Sequence, residues 1–288
     1  MTDPVPSSRW SGEGKAWLVF WIVLAIATPS LPCFFPEWFT NPGKRDWGRV
    51  LGPASFLFFI FWLLGVYFWV IWFRNTRRTS ALAGVAAAMK FDLEMAPAEE
   101  DWSLFGVFEF FRIGFEHSAC NNMDGNLGPY EVTVLDYHFR RSALPWDIGI
   151  QMSSRKYHQT VVAFWGVSPK LPNFKLLTRE TGWFKPGKNR SPKASITEVE
   201  IGKGLNDDFQ NLYLVGGEDE ARLRAFFTPP LLAYFAAHPG WDIEAAEGHL
   251  LVYQERKLQP PAKLQQFLDS ARQIADTLRL RAEGPRKR

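Results

Sequence analysis

Two stretches near the N-terminus carry no charged residue: "AWLVFWIVLAIATPSLPCFF" at 16–35 and "VLGPASFLFFIFWLLGVYFWVIWF" at 50–73. No other feature restricts the fold so strongly. Each is about the 20 residues a helix needs to cross a hydrocarbon core of roughly 30 Å. Two such runs in succession are rare in a water-soluble core. The polar segment between them, "PEWFTNPGKRDWGR", is too short to be a domain. Trp38, Phe39, Trp47, Tyr67 and Trp72 fall near the ends of the windows, where amphipathic rings favour the headgroup layer. The pattern predicts a two-helix transmembrane hairpin over 16–73, with spans at about 16–35 and 50–73. Bulk composition hides it, because a mean hydropathy of -0.16 averages these windows with a polar remainder.

The first window also resembles a signal sequence, with Lys15 before it and a small-x-small pattern at Ala25-Ile26-Ala27. The apolar run continues past that point to Phe35, and Pro32 before Cys33 does not suit a lipoprotein site. An uncleaved span is therefore favoured. Orientation follows from short basic flanks. Arg9 and Lys15 precede the first span, Arg74, Arg77 and Arg78 follow the second, and Lys44, Arg45 and Arg49 lie between. The balance predicts both ends on the cytoplasmic side of a bacterial inner membrane. It divides the chain into a cytoplasmic tail (1–15), the hairpin (16–73), a cytoplasmic domain (74–282) and a basic tail (283–288).

The formal net charge is +3, and the part after the hairpin is close to balanced, which gives no reason to expect nucleic acid. Of two cysteines, Cys33 sits in the first window and Cys120 in the domain, so no disulfide framework can form within the domain.

In the domain, 80–91 reads as a short helix and the aromatic stretch 102–115 as a helix on the sheet or a membrane-surface segment. Segments 130–139, 159–167, 173–180 and 210–218 read as strands, and 185–195 as loop. Acidic residues at 218–220 open a helix, and Pro229-Pro230 restarts one that runs to about Ala237. A hairpin over 241–254 turns at Glu247-Gly248. A final helix begins near Pro260 with an apolar stripe from Leu264 to Leu278, and the tail from Arg279 reads as frayed. Strands in a run between helices predict an α+β fold with an antiparallel sheet and flanking helices.

The order of "NNMDGNLGPYEVTVLDYHF", "HQTVVAF", "LPNFKLLTRE", "LYLVGGEDEARLRAFFTPPLLAYFAAHPGWDIEAAEGHLLVYQ" and the closing helix resembles a family of uncharacterised bacterial membrane proteins with an N-terminal hydrophobic pair. The resemblance covers roughly 80–280. It implies bacterial origin and this architecture, and no activity, cofactor or catalytic residue.

Sites for chemistry are few. "GEGK" and "GKG" lack the spacing of a phosphate loop, and no hydrolase elbow or zinc-protease motif is present. No cofactor is expected. His117 and Cys120 are weak metal candidates lacking further ligands nearby, so no metal is expected either. Asp136 and His138 share a strand face by alternation, and pairing of 130–139 with 159–167 would bring His158 to them as an acid–base cluster. The bland reading is a solvated strand face. Arg74, Arg77 and Arg78, with Lys185, Lys188, Arg190 and Lys193 and the basic tail, are candidates to hold anionic headgroups. The expectation is a membrane-anchored binding domain whose partners are the bilayer and either a protein or a second copy. The alternative is a membrane-surface enzyme using Asp136, His138 and His158.

Overall fold

The computed structural model describes residues 45–95, 104–142, 154–179, 198–199, 201 and 206–284, with the side chains of 45–59, 71–72, 74–75, 141–142, 154–155 and 198 outside the description. The chain divides into two compact units, Met1–Arg77 and Arg78–Arg288. The first hydrophobic window, the loop at 185–195 with Lys185, Lys188, Arg190 and Lys193, and the last four residues lie outside the described residues.

What is described of the first unit belongs to α1, a helix spanning Arg45–Met89. Residues 80–91 are thus not a separate helix but the end of a longer one. Ile60, Phe61, Leu63, Leu64, Tyr67, Phe68 and Val70 are exposed along it. Among the residues described in full, no helix is long and apolar enough to cross a membrane.

The second unit is built on nine described strands: β1 (Asp92–Glu94), β2 (Phe115–Leu127), β3 (Tyr130–Ser142), β4 (Ser154–Trp165), β5 (Phe174–Thr178), β6 (Glu198–Val199), β7 (Tyr213–Gly216), β8 (Asp242–Ala246) and β9 (His249–Tyr253). They form one sheet in the order β1-β2-β3-β4-β9-β8-β5-β7-β6, and every pairing is antiparallel. Short helices α2 (Asp207–Leu212), α3 (Glu220–Phe226) and α4 (Pro229–Ala237) precede β8, and α5 (Pro261–Glu283) closes the domain. The unit is α+β, as the run of strands predicts.

Side chains alternate across a strand, so the two faces of the sheet bury separate cores. On the helical face, Val132, Val134, Val162, Phe164, Ile243, Leu250 and Val252 pack with Leu223, Phe235, Leu268 and Ile274. The last turns of α1 join that core through Leu82 and Ala86. There α1 stops in a two-bond C-terminal cap: Lys90 takes φ 59°, its N–H donates to Ala87 O, and the Phe91 N–H donates to Ala86 O. The Phe91 ring then lies against Gly125, where a Cβ would stand 2.3 Å from a ring carbon, so this position in β2 has no room for a side chain.

The opposite face is covered by a strap, residues 104–112, whose Phe105, Phe108, Phe110 and Phe111 pack on Leu135, Tyr137, Phe139, Val161, Leu251 and Tyr253. It ends in a 3-10 turn at Glu109–Arg112. Of the two readings for the aromatic stretch, packing on the sheet is the one observed. A buried carboxylate clamps it: Glu244 accepts from the N–H groups of Glu109 (2.6 Å) and Phe110 (3.0 Å), and Lys175 bridges to Glu109 at 2.7 Å.

Strand β2 was not foreseen. Asn121, Asn122, Asp124, Gly125, Asn126 and Gly128 favour turns over extended structure. Pairing with β3 overrides that preference, at the cost of register shifts between Phe115 and Ser118 and between Cys120 and Met123. Glu116 and Asn121 adopt positive φ within those irregular stretches. Segment 210–218 also differs: its first residues finish α2, capped by Asn206, and extended structure begins at Tyr213.

Candidate functional site

The β3–β4 register puts His138 opposite His158 and Asp136 opposite Thr160. Cys120 on β2 lies opposite Asp136. These residues continue the helical face beyond its apolar core, where polar groups replace Val134 and Val162. The sheet thus gathers Asp136, His138 and His158 on one face, and adds Cys120.

Asp136 is 3% exposed and accepts four hydrogen bonds, each 2.8 Å long. Arg78 gives two, from Nε to Oδ2 and from Nη2 to Oδ1. Asn121 Nδ2 gives a third and Thr160 Oγ1 a fourth. Arg78 spends its remaining Nη1 on the Gln259 carbonyl, also at 2.8 Å. The Gln259 N–H in turn donates to Thr160 Oγ1, and Thr79 donates to Asn121 Oδ1. A buried carboxylate survives only when its lone pairs are met and its charge is paired. This one meets both conditions, and in doing so ties α1, β2, β3, β4 and the segment before α5 to a single point.

This corrects one expectation. Arg78 is an internal ion-pair partner of Asp136 rather than a free headgroup anchor. Arg77 is exposed, with its guanidinium 4.1 Å from the centre of the Phe73 ring. Arg74 lies in α1 with its side chain outside the description.

His138 does not hydrogen-bond to Asp136. Its Nδ1 meets Nδ1 of His158, and its Nε2 lies 3.5 Å from Cys120 Sγ. Burial first, then His158 and Arg78, hold the His138 imidazole below its usual range, against an opposing pull from Asp136. Burial and Lys156 do the same to His158. Burial and Asp136 push the Cys120 thiol up to about 11, against Arg78. A reactive Cys–His pair needs a thiolate beside an imidazolium. Here the surroundings drive both groups towards their neutral forms, so the contact holds a thiol beside a neutral ring.

The metal pairing also fails in geometry. His117 stacks on Tyr137 and Phe139 on the strap face, with Nδ1 2.6 Å from the Tyr137 hydroxyl, while Cys120 meets His138 on the helical face. The irregular register of β2 separates the two. Among the described residues no group of three His, Cys, Asp or Glu side chains is placed to hold a metal ion.

Sequence reasoning missed Arg78, Asn121 and Thr160 as partners of Asp136, because they come from 15 to 58 residues away and that separation leaves no local signal. Arg140 and Lys156, one row beyond the His pair, were within reach. Each lies two residues from a histidine, which alternation puts on the same face.

By its fold the domain belongs with α+β proteins built on one fully antiparallel sheet. No protein-family model matches the sequence, and no curated protein matches it. Among solved structures the chain is similar to the crystal structure of the mycobacterial trehalose monomycolate transport factor A, TtfA. The likeness has 14% sequence identity and a TM-score of 0.44, and covers 74% of this chain and 98% of that one. The comparisons therefore offer a distant structural likeness, with no family model behind the resemblance read from the strand order.

Proposed function

We propose that this chain is a membrane-anchored binding domain, held by the hairpin at 16–73 in a bacterial inner membrane with the α+β unit in the cytoplasm. The observation that carries the binding role is the saturation of Asp136. Its four hydrogen bonds go to Arg78, Asn121 and Thr160, so it neither orients His138 nor takes a proton from it. The enzyme alternative loses its acid, and the remaining His138–His158–Cys120 contact is held in neutral forms.

Two further features support the reading. Exposed Phe61, Leu64, Tyr67 and Phe68 on α1 give it an apolar surface suited to lipid or to another apolar helix. Strand addition at the β1 edge is disfavoured, since that strand is three residues long and carries exposed Asp92 and Glu94. A partner would then dock through side chains rather than by extending the sheet at that edge.

The test is protease accessibility of 80–288 in intact spheroplasts and in inverted membrane vesicles. Digestion only in inverted vesicles is the expected result. Digestion in spheroplasts would overturn the orientation and the cytoplasmic partner with it.

A further inference from the structure

We propose that the helical face of the β3–β4 arm carries an anion site, with Arg140, Lys156 and His158 as donors and a phosphate group as ligand. The register is the starting point. Directly opposed residues of antiparallel strands hold their Cβ atoms about 4.5–5.5 Å apart, and like charges there repel. On this face two successive rows pair base with base, His138 with His158 and Arg140 with Lys156. Arg140 opposite Lys156 concentrates positive potential beside the histidine row, and an anion there relieves it.

The charged and titratable groups around the pair are Arg78, Asp136 and Cys120 on one side and Lys156, Arg140 and Glu116 on the other. Asp136 is already committed to Arg78. Glu116 reaches Arg140 at 2.8 Å and is half-exposed, from a β2 position at φ 52°. It is an acid on a surface side chain that an incoming anion can displace. Arg140 offers a planar fork, Lys156 a mobile ammonium, and His158 the ring nitrogen that does not meet His138. Donors spread over two rows suit the several oxygens of a phosphate better than the two of a carboxylate. Burial and neighbouring cations hold both histidines below their usual range. A bound phosphate reverses the effect of those cations, so anion binding and histidine protonation favour each other.

The phosphate can belong to a lipid headgroup or to a soluble phosphate ester. The site itself does not depend on membrane anchoring; the lipid source does. The experiment uses the full chain in phosphatidylcholine nanodiscs, with histidine-selective NMR titration before and after adding inorganic phosphate. The same titration is run in discs containing phosphatidylglycerol. Phosphate is expected to raise the pKa of His158 by about one unit, a tenfold gain in proton affinity. The double variant Arg140→Gln/Lys156→Gln should weaken the effect about tenfold or more, and Glu116→Gln should strengthen it. His117, His238 and His249 report that each variant is folded. A rise with inorganic phosphate assigns a soluble ligand, and a rise only with phosphatidylglycerol assigns the headgroup. No rise in either, or an undiminished rise in the double variant, overturns the site. Failure to incorporate into discs would instead count against the anchoring proposed above.

Discussion

At the scale of single residues, two buried carboxylates behave in opposite ways. Asp136 is fully partnered, so its removal strands Arg78. Asp136→Ala and Arg78→Ala should each destabilise the domain by about 2–3 kcal/mol, below the roughly 3–5 kcal/mol of a fully buried pair because Arg78 keeps some solvent contact. The double variant should cost less than the sum of the two, which urea denaturation in mild detergent would measure; strict additivity would show the pair to be uncoupled. Asp242 is 1% exposed and accepts from the Thr178 N–H and hydroxyl through Oδ1. Burial pushes its carboxyl from 3.8 to about 6, against the Thr178 and Glu255 hydrogen bonds and Lys257. The folded chain takes up this proton near pH 6, whereas the unfolded chain does so only near 3.8. Between these values the folded state binds more protons, so stability from this group rises on acidification from pH 6 towards 4 and is lowest above 6. The span corresponds to about 3 kcal/mol. Asp242→Asn should abolish that rise in denaturation at pH 4.5 against pH 7, and an unchanged pH slope would refute the assignment.

At the scale of elements, the strap is held by four buried phenylalanines and by the Glu244 carboxylate. Phe110 is 1% exposed, with its ring centre 4.5 Å from that of Tyr253 and 5.3 Å from that of Tyr137. Phe110→Ala should cost about 3–5 kcal/mol. Glu244→Ala removes the acceptor of two backbone N–H groups, and faster hydrogen exchange over 104–112 than in β3 is the expected signature. Equal exchange in variant and wild type would mean that the aromatic contacts alone hold the strap. The elements legible beforehand were those with strong local signals. Pro229 at a helix start, the Glu247-Gly248 turn with both residues at positive φ, and the α5 stripe from Leu264 to Leu278 all fall where local rules put them. Strand β2 did not, since its Asn, Asp and Gly residues favour turns and only pairing with β1 and β3 holds them extended. The α5 helix likewise continues to Glu283, so the first part of the basic tail is helical rather than frayed.

At the scale of the whole molecule, the apolar windows predict that the full chain stays with membranes through an alkaline carbonate wash. Release by that wash would mean that it is held at the surface by charge or by a partner. The sequence alone determined the two uncharged windows, the α+β class of the following unit and the facing of Asp136 with His138, because hydropathy and alternation are local properties. Only the tertiary structure decided that Arg78 serves Asp136, that His117 and Cys120 part to opposite faces, and that bases oppose bases along β3 and β4. Those outcomes depend on strand register and on groups far apart in the chain, and a charge becomes an anchor, a buried partner or a ligand donor only when its neighbours are fixed.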